Sequence, residues 1–267
     1  MIMPRKYDVC YKSIGDYGEF EVIEYKNKRE VFIRFVDTGY ETWCAANAVA
    51  KGKVKDPFYP NVWGVGFLGN AIASYRNNGK NVLKISYNTW SHMIRRCYGF
   101  GGEKIKTYDD CTVCEEWLCF ENYEKWFNDN YIEGFQVDKD LKIIGNRIYS
   151  PETCVFIPNR INAILGFKTN NTVRKEEYKH LPVGVSYHKR DKVYTARCWD
   201  GEKLLHLGYH SSPEDAFREY KVCKENIIKS VSRKYYNEGM IPVEVYDNLQ
   251  NYSVKPEGHT FMKPQSK

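Results

Sequence analysis

The hydrophobic period changes twice along this chain, and no other feature constrains the fold as much. Apolar and polar residues alternate in GEFEVIEY and in REVFIRFV, with YKNKRE as the polar connection between them. Alternation gives each segment one apolar face, so a β-hairpin is expected. DTGYETW continues in β-rich character, and VKDPFYPNVWGVGFLGN closes the unit with Pro57, Pro60, Gly64, Gly66 and Gly69 as breakers. A small β-barrel or curled sheet is expected over residues 1–78, with its aromatic residues as its core.

From Asn81 the spacing becomes helical. ISYNTWSHMIRRCY places Ile85, Trp90, Met93, Ile94 and Cys97 near one face, and EEWLCFENYEKWFND does the same with Trp117, Phe120, Tyr123, Trp126 and Phe127. The loop GGEKIKTYDDC separates these two helices. GFQVDKDLKIIGNRIYSPETCVFIPNRINAIL then reads as a strand, a turn at Gly145-Asn146, a second short apolar strand after Ser150-Pro151, and a helix.

The period returns to alternation after the polar stretch KTNNTVRKEE, the best linker candidate. VGVSYHKR, DKVYTARCWD and KLLHLGYH read as three strands, followed by a long amphipathic helix. Ser212 is its expected N-cap, Pro213 suits its first position, and Glu214 and Asp215 favour the positive end of its dipole. Ala216, Phe217, Tyr220, Cys223, Ile227 and Ile228 form its expected buried stripe. The fold class is therefore α+β and multi-domain: a β-rich module (1–78), a strand-strand-helix unit with flanking helices (79–167), a three-stranded antiparallel sheet with one helix (168–236), and a C-terminal tail (237–267).

Composition removes several alternatives. With 42% apolar and 28% charged residues, wholesale disorder and collagen are excluded. No apolar run approaches the ~18 residues of a membrane span. The N-terminus holds no apolar block of signal-peptide length, so an intracellular protein is expected. Its nine cysteines are accordingly expected as reduced thiols. The net charge of +6 is concentrated: residues 168–236 hold 15 basic and 9 acidic side chains. That excess points to a polyanion-binding module. There is no P-loop, no dinucleotide-binding glycine motif and no H-E-x-x-H.

WSHMIRRCY, TVCEEWLCFENYEKW and EGFQVDKDLKIIGNRIYSPETCVFIPNRIN together resemble the nuclease portion of phage-type HNH homing endonucleases, over roughly residues 85 to 165. The resemblance implies a ββα-metal unit that clamps one divalent ion, Mg²⁺ or Mn²⁺, between strand and helix. On the matching positions Asp138 is the strand metal ligand and Asn162 the helix ligand, with Thr153 where a middle asparagine usually stands. Lys139 occupies the place of the catalytic histidine. A lysine at its ordinary pKa of ~10.4 cannot take a proton from water; it can bind phosphate or stabilise developing negative charge. The base would then be Lys139 itself, provided that burial lowers its pKa by several units, or the nearby Asp140. His92 is a minor alternative donor of imidazole. The single C-x-x-C pair, Cys111 and Cys114, lacks a second pair, so structural zinc is not expected.

GVSYHKRDKVYTARCWDGEKLLHLGYHSSPEDAFREYK is similar to the Apetala-type, ethylene-response-factor DNA-binding domain, from residue 183 to about 235. Its landmarks here are Gly184-Val185, Tyr194/Ala196, Leu207-Gly208-Tyr209 and Ala216. The resemblance implies that the outer face of the sheet enters the major groove of duplex DNA. Strand alternation independently sorts the side chains. If Tyr194, Ala196 and Cys198 face the helix, Thr195, Arg197 and Trp199 face outward, as do Leu204 and His206, while His188, Lys189 and Arg190 lie on the first strand or its turn. Trp199 is expected as an exposed aromatic awaiting a partner.

Two functions remain from different classes. One is metal-dependent phosphodiester hydrolysis of double-stranded DNA; the other is a non-catalytic DNA-binding or regulatory protein on the same parts. In either, the N-terminal module adds contacts or a homodimer surface.

Overall fold

In the computed structural model, residues 10–99, 108–166, 178 and 180–260 are described. The linker stretch KTNNTVRKEE and residues 101–107 of the GGEKIKTYDDC loop lie outside them. Contacts divide the chain into two units, one of residues 1–129 with 148–150 and one of 130–147 with 151–267.

The first unit opens with β1 (Cys10–Lys12), β2 (Glu19–Asn27), β3 (Glu30–Phe35) and β4 (Glu41–Cys44), paired antiparallel in chain order. The expected hairpin is β2–β3. Two register irregularities, between Val22 and Glu24 and between Tyr25 and Asn27, bend it. Phe20, Val31, Ile33 and Phe35 form the buried face. The sheet is open: β1 and β4 are its edges, and the described residues form no closed barrel. A short helix, α1 (Ala46–Ala50), adds Val49 to this core.

Next come β5 (Ser74–Asn77) and β6 (Lys80–Leu83), joined by Asn78-Gly79 with both residues at positive φ. This is the two-residue turn that matches strand twist, and the boundary drawn at 78/79 falls inside it. α2 (Ile85–Tyr98) buries Trp90, Met93, Ile94 and Cys97, whereas Ile85, assigned to the same face, is exposed at the helix start. β7 (Thr112–Val113) and a 3₁₀ turn (Glu115–Leu118) lead to α3 (Phe120–Asn130). Trp90 Nε1 donates to the Trp117 carbonyl at 2.6 Å, and the Trp90 and Phe120 rings lie 5.3 Å apart. The glycine-rich stretch serves this helical core: a Cβ on Gly66 would stand 2.9 Å from the Trp90 ring.

The second unit begins with β8 (Phe135–Asp138). The chain returns once to the first unit as β9 (Ile148–Tyr149), parallel to β7. β10 (Val155–Pro158) pairs antiparallel with β8, and α4 (Asn159–Leu165) follows directly, giving the expected strand-strand-helix order. β11 (Val185–His188), β12 (Val193–Trp199) and β13 (Leu204–His210) form the three-stranded antiparallel sheet. α5 (Pro213–Asn237) covers one face of it and is capped as expected, with Ser212 Oγ accepting the Asp215 amide at 3.1 Å.

One apolar core runs through this unit. It joins Leu141, Ile157, Ile161 and Ile164 of the ββα part to Val185, Ala196 and Cys198 of the sheet and to Ala216, Tyr220 and Ile228 of α5. The segment read as a tail is folded into the same core. α6 (Val243–Gln250) and the hairpin β14 (Ser253–Lys255) with β15 (Gly258–Thr260) contribute Val245, Leu249 and Val254. Its apolar residues at helical spacing need cover, and α5 supplies it, with Tyr236 stacked on Tyr246 at 4.4 Å. None of the nine cysteines, all of them among the described residues, is in a disulfide. No described helix is long and apolar enough to cross a membrane.

Candidate nucleic-acid interface and ββα site

Because α5 covers one face of the sheet, every second side chain is left on the other. The register pairs Ser186 with Thr195 and Thr195 with Tyr209, Arg197 with His206, and Trp199 with Leu204. These residues, with His188 at the end of β11, make up the outer face. Arg197, His206 and Tyr209 are exposed. The Arg197 guanidinium has no hydrogen bond or ion pair to any described residue. His206 accepts the Gly208 amide on Nδ1 at 3.2 Å, and its ring meets Tyr209 at 4.9 Å. At the β11–β12 turn, Lys189 is exposed and unpaired among the described residues. Arg190 Nε donates to Asp191 at 2.8 Å, and His188 Nδ1 stands 3.0 Å from the same carboxylate. Hydrogen bonding from Arg190 holds the Asp191 carboxyl below its ordinary range.

Two outward residues differ from expectation. Thr195 faces outward by register but is only 3% exposed, because a small side chain on the central strand sits between Ser186 and Tyr209. Trp199 is half-buried, with its indole nitrogen covered, so it is not an exposed aromatic awaiting a partner. Its carbonyl accepts a 2.9 Å hydrogen bond from Lys224 Nζ. Lys224 is fully buried, and burial lowers its pKa. The register also slips between Thr195 and Arg197, where Leu207 and Gly208 together oppose Ala196. Gly208, at φ +106°, supplies this bulge and brings Tyr209 back to the outer face beside His206.

In the ββα part, Asp138 ends β8 and begins a tight loop. Its Oδ1 accepts the amides of Asp140 at 2.8 Å and Leu141 at 2.7 Å, the work of an Asx turn. Its Oδ2 accepts no hydrogen bond from a described residue. Burial pushes the Asp138 carboxyl up, against the two amides that pull it down. Lys139 is 4% exposed, and its Nζ lies 2.5 Å from Asp140 Oδ1, so the two candidate catalytic residues are paired to each other. Asn162, on α4, donates its amide to Gln136 Oε1 at 2.9 Å. Gln136 is two residues from Asp138 and so shares its strand face. The loop is clipped by Asn146, whose Nδ2 donates to the Lys139 carbonyl at 2.9 Å. Asn248 of α6 adds a second clip, to the carbonyls of Leu141 and Lys142. Gln136, Asn146 and Asn248 were not singled out from the sequence, where an amide side chain carries no sign of its partner.

This donor set fits a divalent ion in one way only. Among the described residues no group of three or more His, Cys, Asp or Glu is placed to hold a metal. Mg²⁺ is commonly held by one or two carboxylates, waters and substrate phosphate. Asp138 Oδ2 would be one carboxylate ligand of such an ion.

The loop geometry predicts distinct outcomes for two substitutions. Asp138→Ala strips the acceptor from two backbone amides and should cost about 1–3 kcal/mol in urea unfolding. Asp138→Asn keeps an acceptor and removes the charge. A carboxyl whose folded pKa is raised stabilises the fold below its unfolded pKa of about 3.9, and that contribution is lost as pH rises through the folded value. Asp138→Asn should therefore gain on the native protein as pH rises from about 3.9 through the folded pKa and level off above it; a difference constant throughout would show that the carboxyl is not desolvated.

No protein-family model, no curated protein and no solved structure matches this chain.

Proposed function

We propose that this protein binds double-stranded DNA through the outer face of the β11–β12–β13 sheet. The observation that carries the reading is Arg197 beside His206 in the cross-strand register, exposed, with the guanidinium unpaired among the described residues. A planar fork without a carboxylate partner is suited to the O6 and N7 acceptors of guanine in the major groove. Lys189 and Arg190 at the adjacent turn provide phosphate contacts, which position without specifying sequence. The excess of basic over acidic residues in 168–236 agrees with a polyanionic partner. The test is the salt dependence of duplex binding. Log affinity should fall steeply and linearly with log salt, and a flat response would remove the reading.

A second reading, metal-dependent hydrolysis of the same duplex, rests on Asp138 Oδ2 and on the hydrogen bond that ties Asn162 of α4 to Gln136, on the strand face of Asp138. In it Asp138 and Asn162 hold Mg²⁺ or Mn²⁺, which would supply charge stabilisation at one phosphodiester. Burial of Lys139 weighs against that residue as the base, since a general base must reach its water, and Asp140, though its side chain is exposed, is engaged in the ion pair with Lys139. For that reason DNA binding without cleavage is the function the geometry supports best. Supercoiled DNA incubated with Mg²⁺, with Mn²⁺ and with EDTA separates the two. Unchanged DNA that is still retarded on a gel is the expected result. Metal-dependent nicking that disappears in Asp138→Asn would establish the nuclease.

A further inference from the structure

α2, in the first unit, is amphipathic in an unusual way. Its buried side is aromatic and aliphatic, while His92, Arg95 and Arg96 lie exposed on the other. Neither arginine has a carboxylate partner among the described residues. Each has an aromatic ring instead: the Arg95 guanidinium lies 5.2 Å from the Trp63 ring centroid and that of Arg96 lies 5.8 Å from Tyr108. Trp63 is held there deliberately. It sits in a tight turn closed by the Val62–Gly66 bridge, at φ +54°, and its Nε1 donates to Ser91 Oγ of α2 at 2.9 Å. A bulky residue in the left-handed region is a local strain that the surroundings must hold.

The helix dipole by itself accounts for basic residues in a last turn. It does not account for an aromatic plane beneath each of them. An aromatic plane restrains a guanidinium before any ligand arrives, so less rotamer freedom is lost on binding; the N–H edge of Arg95 is unpaired among the described residues, while Arg96 spends part of its edge on Tyr149. We propose that Arg95 and Arg96, backed by Trp63 and Tyr108, form a second, sequence-independent contact for the phosphate backbone of duplex DNA. The identity of the polyanion rests on the DNA reading above; the surface itself does not.

Each phosphate contact contributes about 0.9 to the slope of log affinity against log salt. With a short mixed-sequence duplex, Arg95→Gln should reduce the slope by about one and Arg95→Gln/Arg96→Gln by about two, with base preference unchanged. Arg96 also hydrogen-bonds Tyr149, so Arg96→Lys, which keeps the charge, should retain the native slope and exclude a merely structural loss. An unchanged slope in the double variant overturns the proposal, whatever Arg197→Ala does. If Arg197→Ala binds like the native protein while the α2 variants lose slope, the sheet reading fails and this one stands. A native protein that does not bind duplex DNA overturns both.

Discussion

Gly184→Ala should cost several kcal/mol of stability, the largest single effect expected in this protein. The residue stands at φ +76°, and a Cβ built on it would lie 2.1 Å from Tyr220 Cδ2 and 2.4 Å from two further ring atoms. Left-handed backbone costs a residue with Cβ roughly 1–2 kcal/mol. Overpacking a closed site adds about 1–3 kcal/mol. Tyr220 is itself buried in the core that joins α5 to the sheet, so the ring has little room to retreat. The Gly184 carbonyl also accepts the Arg197 amide at 3.0 Å, which ties this glycine to the strand bearing the proposed DNA contacts. Thermal unfolding should show the loss, and shortening the ring, as in Gly184→Ala/Tyr220→Leu, should recover part of it. A change below about 1 kcal/mol would mean that β11 does not press on α5 here.

Arg197→Ala should weaken duplex binding by about 1–3 kcal/mol, roughly five- to 150-fold in Kd, while leaving the unfolding midpoint near the native one. The side chain is exposed and makes no bond whose loss would be felt in the fold. His206→Ala should follow in the same direction with a smaller loss, since a single imidazole replaces no bidentate fork. Trp199→Ala should behave in the opposite way. Its half-buried ring, with the indole nitrogen covered, predicts lost stability first. If Trp199→Ala unbinds DNA from a fully folded protein while Arg197→Ala does nothing, the outer face has been assigned to the wrong residues.

The parts of this fold that follow from local chemistry were legible in the sequence. Alternation located β2, β3 and the three strands of the sheet, and the Ser212-Pro213 start of α5 was readable to the residue. Alternation also put Arg197 and His206 on one face, because a period of two does not depend on the rest of the chain. Trp199 and Thr195 went astray for a reason alternation cannot contain. Which outward side chains are covered depends on their neighbours across strands. Closure of the N-terminal sheet was equally out of reach, since it depends on whether β1 finds a distant edge.

Two features were present in the sequence and passed over. Asn78-Gly79 is the strongest short hairpin signal available, yet a boundary was drawn through it. Ile241, Val245 and Leu249 recur at helical spacing in the segment read as a tail. The ββα site lies between these extremes. The order strand, strand, helix was readable, but the pairing of Lys139 with Asp140 and the Asx turn on Asp138 Oδ1 are three-dimensional facts.

The most direct test of the DNA reading is a residue-resolved map of binding, by amide chemical-shift changes as a short duplex is added. Perturbations should cluster on Lys189, Arg190, Arg197, His206 and Tyr209, and should diminish together as salt is raised. Tight binding that leaves those amides unmoved, or no binding at low salt, would contradict the account.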